Sequence, residues 1–357
     1  MRLGITTASY TANFEESVEL LADYEAAGIE LVAVPEAYSF DAVSQLGYIA
    51  ARTRTMRLTS SIMQIYSRTP SLTAMTAAGL DYVSGGRFML GMGASGPQVI
   101  EGFHGVPYHA PLARTREIIE ICRSIWRRER LVHDGAHYQI PLPAERGTGL
   151  GKPLKLIDHP VRERIPISLA AIGPKNVALA AELAESWQPL FFHPQLASQV
   201  WEEPLQGGFS RRDPSLGALD VMLQVSFALG EPSPESLAAI RGQLALYIGG
   251  MGAAGRNFYH RLACRYGYQE EADEIQRLYL AGRKADAAQA VPEDLVRAVS
   301  LIGDEDEVRR QLDEFAAAGV TTLLLTPLAG DPARRLGDVR RLAQLARGSA
   351  AVTAPAG

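Results

Sequence analysis

Strand-like and helix-like patterns alternate along this chain from its first residues. Arg2–Ala8 is a short run rich in β-branched residues, and Ile29–Glu36, Met56–Met63 and Arg87–Gly93 are apolar runs of the same kind. Between them, Asp41–Arg52 and Pro70–Val83 read as helices, as do Phe14, Val18 and Leu21 ahead of Gly28, a residue that suits a left-handed helix stop. Asn13 and Glu16 stand three apart at the start of that first helix, the spacing of a capping box.

The strand starts at 2, 29, 56 and 87 lie one strand–helix unit apart. Repetition of that length without hairpin turns implies parallel strands joined by helical crossovers. Ile165–Ile172, Trp187–Phe192, Leu219–Leu229 and Val320–Pro327 continue the series, with helices such as Asn176–Ala184 and Glu305–Ala318 between them. Eight such units predict an α/β fold, a closed (β/α)8 TIM barrel, because closure leaves no edge strand.

Two long intervals break the rhythm, after strands 4 and 7. The first holds helix Pro111–Arg130, a hairpin over Leu131–Ile140 turning at Asp134-Gly135, and a Pro- and Gly-rich stretch Pro141–Pro166 expected to cross the barrel mouth. The second is mostly helical, including Pro234–Gly249 and Asn257–Tyr266. Insertions in a barrel tend to be functional, since its active site is built from the βα loops. One domain over residues 1–347 with a disordered tail over 348–357 accounts for the 357 residues.

Composition narrows the class. Forty acidic against 35 basic side chains leave a net charge of −5, and no basic block offers a nucleic-acid footprint. No run of 18 apolar residues suggests a membrane span, and Cys122 and Cys264 are too few for a disulfide framework. A cytoplasmic soluble protein is the expectation.

Gly91-Met92-Gly93-Ala94-Ser95-Gly96 matches a dinucleotide fingerprint, but Pro97, Gly102, Gly105 and Pro107 interrupt the long helix that a Rossmann site requires. What remains is a glycine-rich strand end that lets a flat ring approach the backbone, or a tight loop with no ligand. Gly149-x-Gly151-Lys152 lacks the first glycine and the Ser/Thr of a P-loop. His133 and His137 flank the Asp134-Gly135 turn and read as surface residues, with no metal site. Gly173-Pro174-Lys175-Asn176 opens a helix whose N–H groups could take an anion, or is a plain βα turn. Glu36 ends the second strand, where barrel catalytic groups sit; its strand is otherwise apolar and Tyr38 follows closely.

Taken together, the residues resemble the luciferase-like monooxygenases, and within them the branch using the deazaflavin coenzyme F420. The resemblance is carried by Arg68-Thr69-Pro70, by Leu80-Asp81-Tyr82-Val83-Ser84-Gly85-Gly86-Arg87-Phe88-Met89-Leu90-Gly91-Met92-Gly93 and by Ser95-Gly96-Pro97. It resumes at Pro111–Glu117, Gly173–Asn176 and Ile302–Val308. It implies a barrel of the bacterial-luciferase type, an extended region between strands 4 and 5, and a homodimer.

By the same resemblance, Ser61-Ile62 looks like a non-prolyl cis peptide bulge behind the coenzyme ring, with Met63 and Gln64 beside it. Gly93, Ala94 and Ser95 form a second wall, and Ala171, Ile172 and Gly173 a third. Pro174 and Lys175 then reach the coenzyme's tail or phosphate. Several relatives carry Asp-His where this chain has Glu36-Ala37, and that histidine is often assigned proton transfer. Glu36 becomes the first candidate acid, with Tyr66, His193 and Tyr247 as substitutes. The implied chemistry is hydride transfer between F420 and a carbon of a small organic substrate. The alternatives are an FMN-dependent monooxygenase using O2 and a coenzyme carrier without turnover.

Overall fold

The computed structural model describes residues 1–7, 14–252 and 255–352, with side chains to 347. The capping box expected at Asn13 lies outside the described residues, as do residues 353–357 of the expected tail, whereas Gly348–Val352 complete the last helix, Pro332–Val352.

Eight parallel strands form the expected barrel: β1 (Arg2–Thr6), β2 (Leu31–Val34), β3 (Arg57–Ser60), β4 (Phe88–Gly93), β5 (Ile167–Ala170), β6 (Ser186–Gln188), β7 (Asp220–Leu229) and β8 (Thr322–Pro327). β1 pairs with both β2 and β8, and β7 pairs with both β6 and β8, which closes the cylinder. The barrel's inside changes along its axis. Leu31, Ala33, Met89, Met222 and Leu324 fill its lower interior with apolar volume. Gly4 leaves that space to its neighbours, since a Cβ would stand 2.7 Å from Leu324 Cδ2 and 3.0 Å from Leu31 O. Towards the C-terminal ends the inward positions turn polar, with Thr6, Ser168, Gln188, Gln224 and Thr326. That polar layer is the floor on which a site can be built.

The helices follow from caps written in the sequence. Asp41 Oδ1 accepts Ser44 N–H at 2.8 Å ahead of Ala42–Arg52, and Thr69 caps Pro70–Val83 with Pro70 in the first turn. Asp304 and Glu307 form a complete capping box at the start of Glu305–Ala317.

Both insertions are present. After β4 come a short helix Pro97–Gly102, the helix Pro111–Trp126 and the hairpin His133–Asp134 with Gln139–Ile140. The second half of the Pro- and Gly-rich stretch does not cross the mouth. Arg162 binds the buried carboxylate of Asp81 and donates to Phe88 O at 2.6 Å, tying this chain to the N-terminal end of β4, from where β5 must start. His133 and His137 are half-buried rather than superficial: the carboxylate of Glu117 accepts from His133 Nε2 and from the backbone N–H groups of His137 and Tyr138.

After β7, helices Pro234–Ala245, Phe258–Arg265, Gln269–Leu280, Lys284–Gln289 and Glu293–Ala298 bury a small core of their own around Ile240, Leu244, Ile275 and Val296. This insertion ends in a short strand, Leu301–Gly303, that extends the sheet by pairing with Phe227–Leu229. The ladder between β6 and β7 is brief, reaching only Asp220↔Ser186 and Val221↔Trp187. Outside this seam, helices Ala197–Phe209 and Glu305–Ala317 leave a cavity of about 860 Å³ lined by Trp201, Leu205 and Phe209. It lies in the helical shell, away from the C-terminal strand ends.

Candidate active site

The third strand is broken at its C-terminal end. Ser60 Oγ donates to Gly91 O at 2.8 Å and accepts Gly91 N–H at 3.1 Å, so β3 and β4 are stitched by a side chain. A Cβ on Gly91 would stand 1.7 Å from Ser60 O, so no other residue permits this approach. The Ser61–Ile62 peptide bond is cis, and pairing resumes only at Met63↔Met92 and Gln64↔Gly93. Ile62 packs where Gly93 lacks a side chain, its Cδ1 2.9 Å from the position a Cβ would take. Ser61 Oγ bonds Gln188 Oε1 at 3.0 Å and Gln188 Nε2 donates to Ser168 Oγ at 2.9 Å, bracing the bulge across the barrel interior.

The end of β2 is held as firmly. Glu36 is buried, and Arg68 grips both carboxylate oxygens at 2.7 and 2.9 Å. The backbone N–H of Ala42 donates to Oε2 at 3.0 Å, so the same carboxylate anchors the start of helix Ala42–Arg52. Its hydrogen bonds hold the Arg68 guanidinium above its ordinary pKa. Ala37 adopts a left-handed backbone, φ 45°, and its carbonyl accepts from Gln64 Nε2. Gln64 Oε1 is buried with no hydrogen-bond partner among the described residues.

Ser95 (φ 57°) and Phe191 (φ 53°) share this left-handed conformation, so three such residues follow β2, β4 and β6 at the mouth. Bulky residues seldom adopt it outside turns and functional sites. At the end of β5, Trp187 Nε1 donates to Ala171 O at 2.9 Å, and Gly173 precedes helix Pro174–Leu183 with no side-chain cap. Phe258, from the second insertion, lays its ring against Gly173, where a Cβ would meet Cε1 at 2.9 Å. Lys175 is exposed in the first turn.

The fourth side of the mouth is aromatic. Leu246–Gly250 is a π-helical turn, a local form that recurs at functional sites. Tyr247 on it packs edge-on against Phe191 and Tyr259, with centroids 5.2 and 4.7 Å away. Asn257 fixes the turn by donating to Tyr247 O and Ile248 O. Gly249 and Gly250 are packing glycines, with Tyr279 in the space a Cβ would need.

The model of the luciferase-like monooxygenases matches residues 1–322. The chain belongs to that family. A protein of Mycobacterium tuberculosis named as a coenzyme F420-dependent oxidoreductase is 42% identical over 340 residues, covering 94% of this chain and 98% of the relative. The 5,10-methylenetetrahydromethanopterin reductase of Archaeoglobus fulgidus is 28% identical over 295 residues, 81% of each chain. Among solved structures, the coenzyme F420-dependent tetrahydromethanopterin reductase of Methanopyrus kandleri superposes with a TM-score of 0.80 over 97% of this chain and 98% of its own, at 20% identity.

In this luciferase-like enzyme the residues expected from sequence gather at neighbouring strand ends. Glu36 follows β2; Ser61, Ile62, Met63 and Gln64 follow β3; Gly93, Ala94 and Ser95 end β4; Ala171, Ile172, Gly173, Pro174 and Lys175 follow β5. The substitute acids do not share one place. Tyr66 donates its hydroxyl to His109 O at 2.9 Å, and burial pushes it up to about 12. His193 packs on Tyr266, where burial lowers its pKa.

Gln188 is missing from the sequence reading, whereas Phe258 lies in the segment Arg256–Tyr259 that, with Tyr247–Gly252, is expected from sequence either to shape the substrate pocket or to be ordinary insertion packing. Gln188 has a signal, a polar side chain in an apolar strand at an inward position. The contact of Phe258 with Gly173 has none, because only the folding of a distant insertion brings the two together.

Proposed function

We propose that this enzyme transfers a hydride between coenzyme F420 and a carbon of a small organic substrate. The observation that carries the reading is the braced bulge at Ser61–Ile62 facing a glycine wall at Gly93, next to an uncapped helix start at Gly173. The residues suit such a coenzyme. The unpartnered Oε1 of Gln64 is an acceptor for an N–H on the edge of a ring, and leaving it without one costs about 1–3 kcal/mol. The first-turn N–H groups of Pro174–Leu183, with Lys175, suit a phosphate. When bound, the coenzyme supplies a ring carbon that gives or takes a hydride.

The protein's own part is to hold and to shield. Ile62 and Gly93 set how closely a ring approaches the backbone, and Phe258 closes the side over Gly173. Glu36 suits a positioning role better than the acid role expected of it, because three N–H donors already occupy its oxygens. Its bond to Arg68 fixes the loop after β2, whose Ala37 carbonyl in turn orients Gln64. Both cysteines are free, which supports a reducing, cytoplasmic setting.

Titrating the purified protein with oxidised F420 and, separately, with FMN, followed by coenzyme fluorescence, tests the reading. Saturable F420 binding that weakens in Gln64→Ala is expected. Binding of FMN with O2 consumption, and no binding of F420, would overturn it.

A further inference from the structure

The seam between β6 and β7 opens just above Val221↔Trp187, where the ladder stops. From there Gln224 and Ser226 of β7 face a small cavity of about 10 Å³, closed by Phe191, Gln243, Ser300 and Thr326. That volume is about one water-sized group. Gln224 Nε2 donates to Thr326 Oγ1 at 3.3 Å. Ser300 is 1% exposed, and its Oγ has no hydrogen-bond partner among the described residues. A buried hydroxyl in that state costs stability unless something occupies the cavity.

We propose that this notch binds a neutral oxygen of the substrate, a carbonyl or a hydroxyl, through Ser300 and Thr326. The inference rests on the hydride-transfer reading and names the substrate class for it. None of the side chains lining the notch is charged, so a carboxylate, phosphate or ammonium group would be desolvated there without compensation. A ketone or secondary alcohol loses only neutral hydrogen bonds and regains them from hydroxyls that donate or accept as needed. The aromatic side of the mouth at Phe191 and Tyr247 covers the apolar remainder of such a molecule.

The test is ligand-observed NMR titration of cyclohexanone and cyclohexanol, with cyclohexanecarboxylate as the charged control, on the F420-loaded enzyme and again without coenzyme. Both neutral probes are expected to bind more tightly than the carboxylate. Ser300→Ala and Thr326→Val should each weaken them roughly three- to tenfold, the worth of one hydrogen bond, while Thr326→Ser retains binding. The F420 titration should stay unchanged in Ser300→Ala, and its thermal midpoint without ligand should not fall, since the variant removes an unpartnered buried hydroxyl. Equal binding of cyclohexanone by wild type and both weakening variants, a carboxylate bound as tightly as the ketone, or no ketone binding at all overturns the proposal. Absence of F420 binding with the ketone still bound at Ser300 would instead overturn the coenzyme reading alone.

Discussion

Glu36 and Arg68 are the tightest functional-looking pair at the mouth, and their energetics distinguish anchoring from catalysis. Removing one partner of a buried ion pair strands the other charge, so Glu36→Gln is expected to cost about 3 kcal/mol in urea unfolding. Adding Arg68→Met to that variant should recover part of the loss. Unchanged stability with abolished turnover would return Glu36 to the role of an acid. His193 makes a prediction about pH. Burial holds its imidazole below the ordinary 6.5, so the unfolded chain takes up that proton first as pH falls. Stability is therefore lost as pH drops through about 6.5 towards the folded pKa, and is regained on raising it. The thermal midpoint of the wild type should fall more steeply between about pH 7 and about pH 5 than that of His193→Gln.

At the level of elements, the bulged third strand separates structural from binding glycines. Gly91→Ala drives a methyl group into the Ser60 carbonyl, a backbone atom that cannot yield. A loss of roughly 3 kcal/mol, or failure to accumulate folded protein, is expected. Gly93→Ala meets side chains only, Ile62 Cδ1 at 2.9 Å and Cγ1 at 3.2 Å and Ala170 Cβ at 3.4 Å, and the Ile62 end can rotate away. Its thermal midpoint should be nearly that of the wild type while coenzyme affinity falls roughly tenfold, a loss of about 1.4 kcal/mol. Fluorimetry and coenzyme titration on the same two preparations separate the cases. Helix starts were legible at this scale because Thr69 and Asp304 are local signals. Leu301–Gly303 was not legible as a strand, since three residues carry no periodicity and their pairing partner lies on β7.

For the molecule as a whole, we propose the homodimer that the family resemblance implies, formed through the outer face of helix Pro70–Val83. Leu72, Met75, Tyr82 and Val83 are exposed along that face, an apolar stripe of the kind that marks association surfaces. Analytical ultracentrifugation should show a dimer for the wild type and a monomer for Met75→Asp combined with Tyr82→Asp. A monomeric wild type sinks the proposal. The N-terminal anchoring of the 141–166 stretch by Arg162 also belongs to this scale. A Pro- and Gly-rich run states that it is a loop, but not which end of the barrel it must reach.

The sequence by itself determined the barrel, because eight apolar runs at strand–helix intervals have few other ways to bury both faces of a parallel sheet. The bulge at Ser61–Ile62 and the glycine wall were expected only through the family resemblance, since spacing alone leaves Gly91–Gly96 open to a plain tight loop. Only the tertiary structure decided what the polar side chains do. Glu36 was legible as a carboxylate at a strand end, but its capture by Arg68 depends on two loops meeting. The orphaned hydroxyl of Ser300 gained its meaning from a seam that opens between β6 and β7. Local pattern records which face of an element is buried; pairing between side chains far apart in the chain exists only once the barrel has closed.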